Sequence, residues 1–175
     1  HKPGRAFESI YYQFDILADY GAFRDLQRHR VLTQLWQRIS PNNGYVIPFE
    51  LSKLPELRTR YINVIEKAKP VYDKIRQIFG YEIAQYIIPF AYKVRFMFIL
   101  NLRQAFHLIE LRTQKQGHPS YRKVCLDMLD QIEKKAGHKI FTEAMKFADK
   151  SSSYELSRED LEKNIDLKLK AKRND

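Results

Sequence analysis

The sequence predicts a mixed α and β fold, on three observations. Residues 7–17 and 92–100 each alternate apolar side chains with others at the period of two that marks strands. Long segments between and after them repeat apolar residues at the i, i+3, i+4 spacing of amphipathic helices. The chain has 175 residues, of which 44% are hydrophobic and 13% aromatic, which suits one domain with a real core and excludes a disordered chain.

The first strand, residues 7–17, is dominated by aromatic and β-branched residues, with Ile10, Tyr12, Phe14 and Ile16 in alternation. Asp19 then caps a helix whose apolar side is Ala22, Phe23 and Leu26. Residues 31–39 read as mixed, residues 40–44 as a turn, and residues 45–48 as a short edge strand that Pro48 ends. A helix starts at Pro55 with Leu57, Tyr61, Val64 and Ile65 as its stripe. Pro70 interrupts it, and Val71, Ile75 and Ile78 continue as a second helix that Gly80 closes.

Residues 81–88 form a short helix or turn before Pro89. The second long strand follows at residues 92–100, with Val94, Phe96, Phe98 and Leu100 on one face, and it partners the first. Asn101 caps the next helix, to which Leu102, Phe106, Ile109 and Leu111 give an apolar side. After a break at residues 116–120, Tyr121, Val124, Cys125, Met128, Leu129, Ile132 and Ala136 form the stripe of a long helix. Gly137 interrupts it, and Ile140, Phe141, Met145 and Phe147 begin another packed piece. Residues 1–150 read as the domain and residues 151–175 as a charged tail after a serine linker.

The formal charge of +10 favours anionic partners and does not choose among them. The single cysteine, Cys125, excludes an internal disulfide, fits a reducing compartment, and sits on an apolar stripe as a core thiol. No apolar run is long enough to span a bilayer, and no secretory signal is read, so the expected location is the cytoplasm. The abrupt start at His1 reads as that of a piece of a longer protein.

The five histidines are scattered without metal-ligand spacing, so no metal is expected. Six glycines leave no phosphate loop or dinucleotide fingerprint. What remains is arginine-based recognition. Arg24, Arg28, His29 and Arg30 crowd one short segment, and Asn101, Arg103, His107 and Arg112 follow the second strand. Guanidinium groups suit forked oxygen acceptors such as phosphates. The two segments are expected to form two halves of one site for the phosphate of a nucleotide or flavin. Lys67, Lys69, Lys74 and Arg76 are read as a solvated helix face without function.

Arg28-His29-Arg30 after a strand beginning at Phe7-Glu8, then Asn101-x-Arg103 and Arg112, resembles the flavin-dependent (alternative) thymidylate synthases. The resemblance spans residues 7–122. It implies an α/β (α+β) fold, a small antiparallel-rich sheet flanked by long helices, and a homotetramer with FAD and dUMP at subunit junctions. It also implies transfer of a methylene from methylenetetrahydrofolate to dUMP, with NADPH as the usual reductant. By position, Glu8, His29, Arg30, Asn101, Arg103 and His107 look like flavin contacts. Arg28, Arg38 and Arg112 look like nucleotide contacts, and Arg112, against the uracil, is the catalytic candidate.

The flavin half of this signature survives better than the nucleotide half. Arg38 stands where the family has serine, and Leu35-Trp36 replaces an Asn-Glu pair. Ser40-Pro41 stands where arginine and tyrosine follow, Gln85 where an arginine commonly meets the substrate phosphate, and His107 where asparagine is usual. Three readings follow: an enzyme of this family with an altered nucleotide pocket; a degenerate family domain serving as partner to a second one in a duplicated protein; and a basic nucleic-acid-binding module, marked by steep salt dependence.

Overall fold

The computed structural model describes residues 3–151 and Lys163. The chain falls into two compact units, one of residues 11–100 and one that joins the first ten residues to those from Asn101 onward. The expected tail lies outside the described residues apart from Ser151 and Lys163.

The unit of residues 11–100 contains β1 (Tyr11–Asp19), α1 (Tyr20–Leu26), β2 (Thr33–Trp36), α2 (Pro55–Glu66), α3 (Ala68–Phe79), α4 (Tyr81–Ala84) and β3 (Lys93–Asn101), whose last residue lies across the boundary. The sheet order is β1-β3-β2, so the two long strands are neighbours as expected. β2 runs antiparallel to β3, with Thr33 opposite Ile99 and Trp36 opposite Phe96. β3 buries Val94, Phe96, Phe98 and Leu100 and turns the alternate residues outward, as the sequence period requires. Asp15 of β1 holds Arg95 of β3 through Nε at 2.9 Å.

α1 begins where the Asp19 carboxylate accepts the Ala22 amide at 2.8 Å. It packs on the sheet through Phe23, whose ring centroid lies 4.7 Å from that of Phe96 and 5.7 Å from that of Trp36. Ile65, Ala68, Tyr72, Ala84, Ile88 and Tyr92 form a second core, tied where the Tyr92 hydroxyl donates to the Ile65 carbonyl at 2.9 Å.

Several expectations are corrected here. Residues 5–9 form a 3₁₀ turn, and the strand starts only at Tyr11. Residues 33–36, read as mixed, are a strand, because pairing with β3 rather than local pattern decides it. Residues 45–48 contribute one bridge, Tyr45 with Tyr92, and no strand. Pro70 lies inside α3 rather than ending a helix. It is the third residue of α3, where a backbone N–H would have no helical acceptor. The break falls at Lys67 instead. Leu57, Val64, Val71 and Ile78 are exposed, so the buried stripe of α2 and α3 is Ile65, Ala68 and Tyr72.

The other unit contains α5 (Leu102–Arg112), α6 (Pro119–Asp130) and α7 (Lys139–Ala144), with a π turn from Gln131 to Lys135 extending α6. Its core is Leu102, Ala105, Phe106, Leu108, Ile109, Cys125, Met128, Leu129, Ile132 and Met145. Phe7 joins it, edge-on to Phe106 at 5.8 Å and to Phe141 at 5.6 Å, which is why residues 5–9 curl rather than extend. Leu111, Ile140 and Phe147 were expected in this core and are exposed. α6 begins two residues before Tyr121, its end capped by the His118 ring accepting the Ser120 amide at 3.2 Å. No helix among the described residues is long and apolar enough to cross a membrane.

Candidate functional site

The Arg28-His29-Arg30 segment leaves the end of α1. The Gln27 amide closes the helix on the Phe23 carbonyl, and the His29 amide bonds the Leu26 carbonyl at 3.2 Å. From β2, the Gln34 side-chain amide donates to the carbonyls of Gln27 (2.8 Å) and His29 (3.0 Å). The strand thereby fixes the loop. His29 is buried between two exposed arginines, and Arg28 pairs with Asp25. The loop thus presents Arg28 and Arg30 to solvent on a backbone that is held in place.

In the other unit, Asn101 ends β3 and caps α5, its side chain accepting the Gln104 amide at 2.8 Å. The helix turns Arg103 and His107 to its exposed face, four residues apart, with Glu110 half-buried one turn on. Arg103 bonds Glu8 at 2.5 Å, and Arg5 stands 3.5 Å from the same carboxylate. The Arg103 hydrogen bond, with Arg5 assisting, holds the Glu8 carboxyl below its ordinary range against a smaller opposing effect of desolvation. Glu8 and Arg103, both expected to meet flavin, are thus brought together.

At the end of α5, the Arg112 guanidinium lies 5.5 Å from the centroid of the Tyr121 ring. Gly117 makes room for that ring: a Cβ there would stand 2.8 Å from two of its atoms, Cε2 and the hydroxyl oxygen. Arg122, for which the sequence analysis gave no role, is buried. Its Nε donates to the Thr113 carbonyl at 3.0 Å and its terminal nitrogen to the Ser151 carbonyl at 3.2 Å, with Asp149 at 3.9 Å. It ties Ser151 to the end of α5 and to α6.

Arg38 follows β2. The Ile39 amide beside it donates to the Gln85 side-chain oxygen at 3.1 Å, so Gln85 serves as a brace for this loop. Arg38 lies 5.0 Å from the centroid of the Tyr81 ring, and Arg76 of α3 lies 5.4 Å from the same centroid. Arg76 had been assigned to a solvated face. Its link to Tyr81 was missed because Gly80, at φ +83°, reverses the chain between them, which helical spacing alone does not reveal.

A crystal structure of Thymidylate Synthase X (ThyX) from Helicobacter pylori with FAD and dUMP matches with a TM-score of 0.61, at 19% identity, over 81% of this chain and 76% of that one. The fold is therefore ThyX-like: mixed α/β with a small antiparallel sheet. The chain belongs to the family described as thymidylate synthase complementing protein (Thy1), whose model matches residues 1–137. A UPF0159 protein of Chlamydia muridarum is 41% identical over 153 residues, covering 87% of this chain and 28% of its own length. Another, of Chlamydia pneumoniae, is 43% identical over 134 residues, covering 77% of this chain and 25% of its own length. The chain thus spans about a quarter of the length of these curated relatives.

Proposed function

We propose that this chain is the flavin- and nucleotide-binding domain of a protein that methylates dUMP to dTMP. The observation that carries the reading is the exposed face of α5, where Arg103, oriented by Glu8, stands one turn from His107 beside the Asn101 cap. A guanidinium held in one orientation suits a diphosphate, so this donor set fits FAD. Asn101, Arg103 and His107 would hold FAD in sites assembled at subunit junctions, to which His29 and Arg30 also contribute. Glu8 orients Arg103 there.

Bound FAD would supply the hydride that converts the methylene of methylenetetrahydrofolate to the methyl of dTMP, and NADPH would return the two electrons. Arg28, Arg38 and Arg112 would bind dUMP, with Arg112 polarising the uracil. The working form would be a tetramer, or a pairing with a second domain of the family, in the cytoplasm. Exposed Val64, Ile78, Phe79, Tyr86 and Phe90 support an assembled form, since they are apolar surface that a lone chain would leave wet.

A second reading is a domain that keeps the fold as a partner and has lost turnover. It is favoured by Gln85, whose amide serves as a brace, and by Trp36, which packs on Phe23 where the family motif has a polar residue. An absorbance spectrum of the purified protein with a dUMP titration tests both. A flavin band near 450 nm and micromolar dUMP binding support the enzyme. Flavin without dUMP binding supports the partner, and neither flavin nor dUMP binding removes the first reading.

A further inference from the structure

We propose that α2 and α3 together carry a docking face for residues 154–166 of a second copy of this chain. The inference does not rest on the flavin or nucleotide reading.

The two helices continue one another, because Lys67 between them keeps right-handed helical angles, φ −64° and ψ −22°. One side of the pair is taken up by the core: Ile65, Ala68 and Tyr72 are buried, and Tyr61 and Ile75 pack against their cluster. Beside that side runs a second apolar row, Leu57, Val64, Val71 and Ile78, exposed by 47%, 65%, 41% and 71%. Its members recur every seventh residue. Seven residues make close to two helical turns, so the row stays in line.

A cationic row follows it in register. Arg60, Lys67 and Lys74 each stand three residues after an apolar member, and all three are exposed. They take part in no ion pair among the described residues, whereas Arg76 on the same helix has Asp73 at 3.8 Å. Single exposed cations are ordinary on a wet helix face. Cations repeated at the interval of an apolar row are the pattern that sets the register of a partner segment.

The sequence holds the complement. In residues 154–166, Tyr154, Leu161 and Ile165 recur at helical spacing. Glu155, Glu159, Glu162 and Asp166 form the adjacent row, at i, i+4, i+7 and i+11. Glu155 and Glu162 are seven residues apart, as are Glu159 and Asp166, and the same interval separates Arg60, Lys67 and Lys74. The segment carries five acidic side chains against Arg158 and Lys163, in a chain whose formal charge is +10. It is therefore the kind of segment that the basic face attracts.

Other occupants fit less well. A second α2–α3 face would set cations against cations. A nucleic acid would engage the cations and leave the apolar row wet. Exchange of segments between two copies covers both rows and closes as a dimer.

The test titrates the whole protein into a fluorescein-labelled synthetic peptide of residues 152–167, read by fluorescence anisotropy. Wild type is compared with Val64→Ser/Val71→Ser and Lys67→Glu/Lys74→Glu. Arg58→Glu/Lys69→Glu, off both rows, is the charge control. All these residues are exposed, so thermal melts should be unchanged. The first two variants should each weaken the peptide by about tenfold or more, and the control by less than about twofold. A peptide carrying Glu155→Lys, Glu159→Lys, Glu162→Lys and Asp166→Lys should prefer the Lys67→Glu/Lys74→Glu protein to wild type. Failure of wild type to bind the peptide, equal binding of a scrambled peptide, or an equal loss in the control would overturn the face. So would a wild-type protein that stays monomeric in sedimentation well above the peptide's Kd. Binding to phosphatidylserine vesicles that needs Val64 and Val71, without peptide binding, would overturn it in favour of a membrane surface.

Discussion

Arg103 is held by Glu8 at 2.5 Å, a pair that joins the first turn of α5 to a residue 95 positions earlier in the chain. The Glu8 carboxyl titrates below its ordinary value of 4.5 chiefly because of this hydrogen bond. A folded value below the unfolded one means the pair contributes fully above the ordinary glutamate range. The contribution is lost as pH falls through the lowered folded value. Carbon-detected NMR titration should find the Glu8 midpoint depressed in wild type and moved back upward in Arg103→Ala. An unmoved midpoint would show that the pair does not form in solution.

The same guanidinium is the one proposed to bind the flavin diphosphate. Removing it should weaken FAD by about 10- to 100-fold, the equivalent of one charge-assisted hydrogen bond of roughly 1.5–3 kcal/mol. Flavin retained on gel filtration at equal concentration measures this. Full retention by Arg103→Ala would refute the assignment, because the exposed side chain carries little of the fold.

Much of this was readable before any coordinates. The β3 alternation, the Asp19 and Asn101 caps and the Cys125, Met128, Leu129 and Ile132 part of the α6 stripe each follow from one local rule and stand where it puts them, whereas Ala136, expected at the end of that stripe, is exposed. β2 was not readable: four residues carry too little period, and their conformation is set by β3. The α2–α3 stripe misled because Leu57, Val64, Val71 and Ile78 have helical spacing but remain exposed. Among site residues, the resemblance named Glu8 and Arg103 separately and their pairing was not readable, while Arg76 with Tyr81 depends on a glycine reversal and Arg112 with Tyr121 on a missing Cβ.

Cys125 is fully buried, and burial pushes its thiol up to about 12, so almost no thiolate exists at neutral pH. Labelling by a disulfide reagent at pH 8 should therefore follow unfolding and slow further under stabilising conditions. Stoichiometric labelling within seconds in buffer alone would contradict a closed core at this position. Cys125→Ser should cost about 1–3 kcal/mol in denaturant melts, since it buries a hydroxyl among apolar side chains.

Gly117 decides where Arg112 can sit. A methyl group at residue 117 would stand 2.8 Å from the Tyr121 ring, inside the distance that real Cβ atoms allow, so the ring must move. The ring stacks under the Arg112 guanidinium, and moving it removes the cation–π seat. Gly117→Ala should thus weaken dUMP severalfold and lower stability by about 1–3 kcal/mol through overpacking. FAD retention should stay near wild type, because Arg103 and Glu8 are untouched. Adding Tyr121→Leu should recover part of the stability, since the Gln114 carbonyl oxygen still stands 3.0 Å from the added methyl group, and leave dUMP weak, since the aromatic seat is still missing. Recovery of both in the double variant would show that Tyr121 only fills space and does not position Arg112.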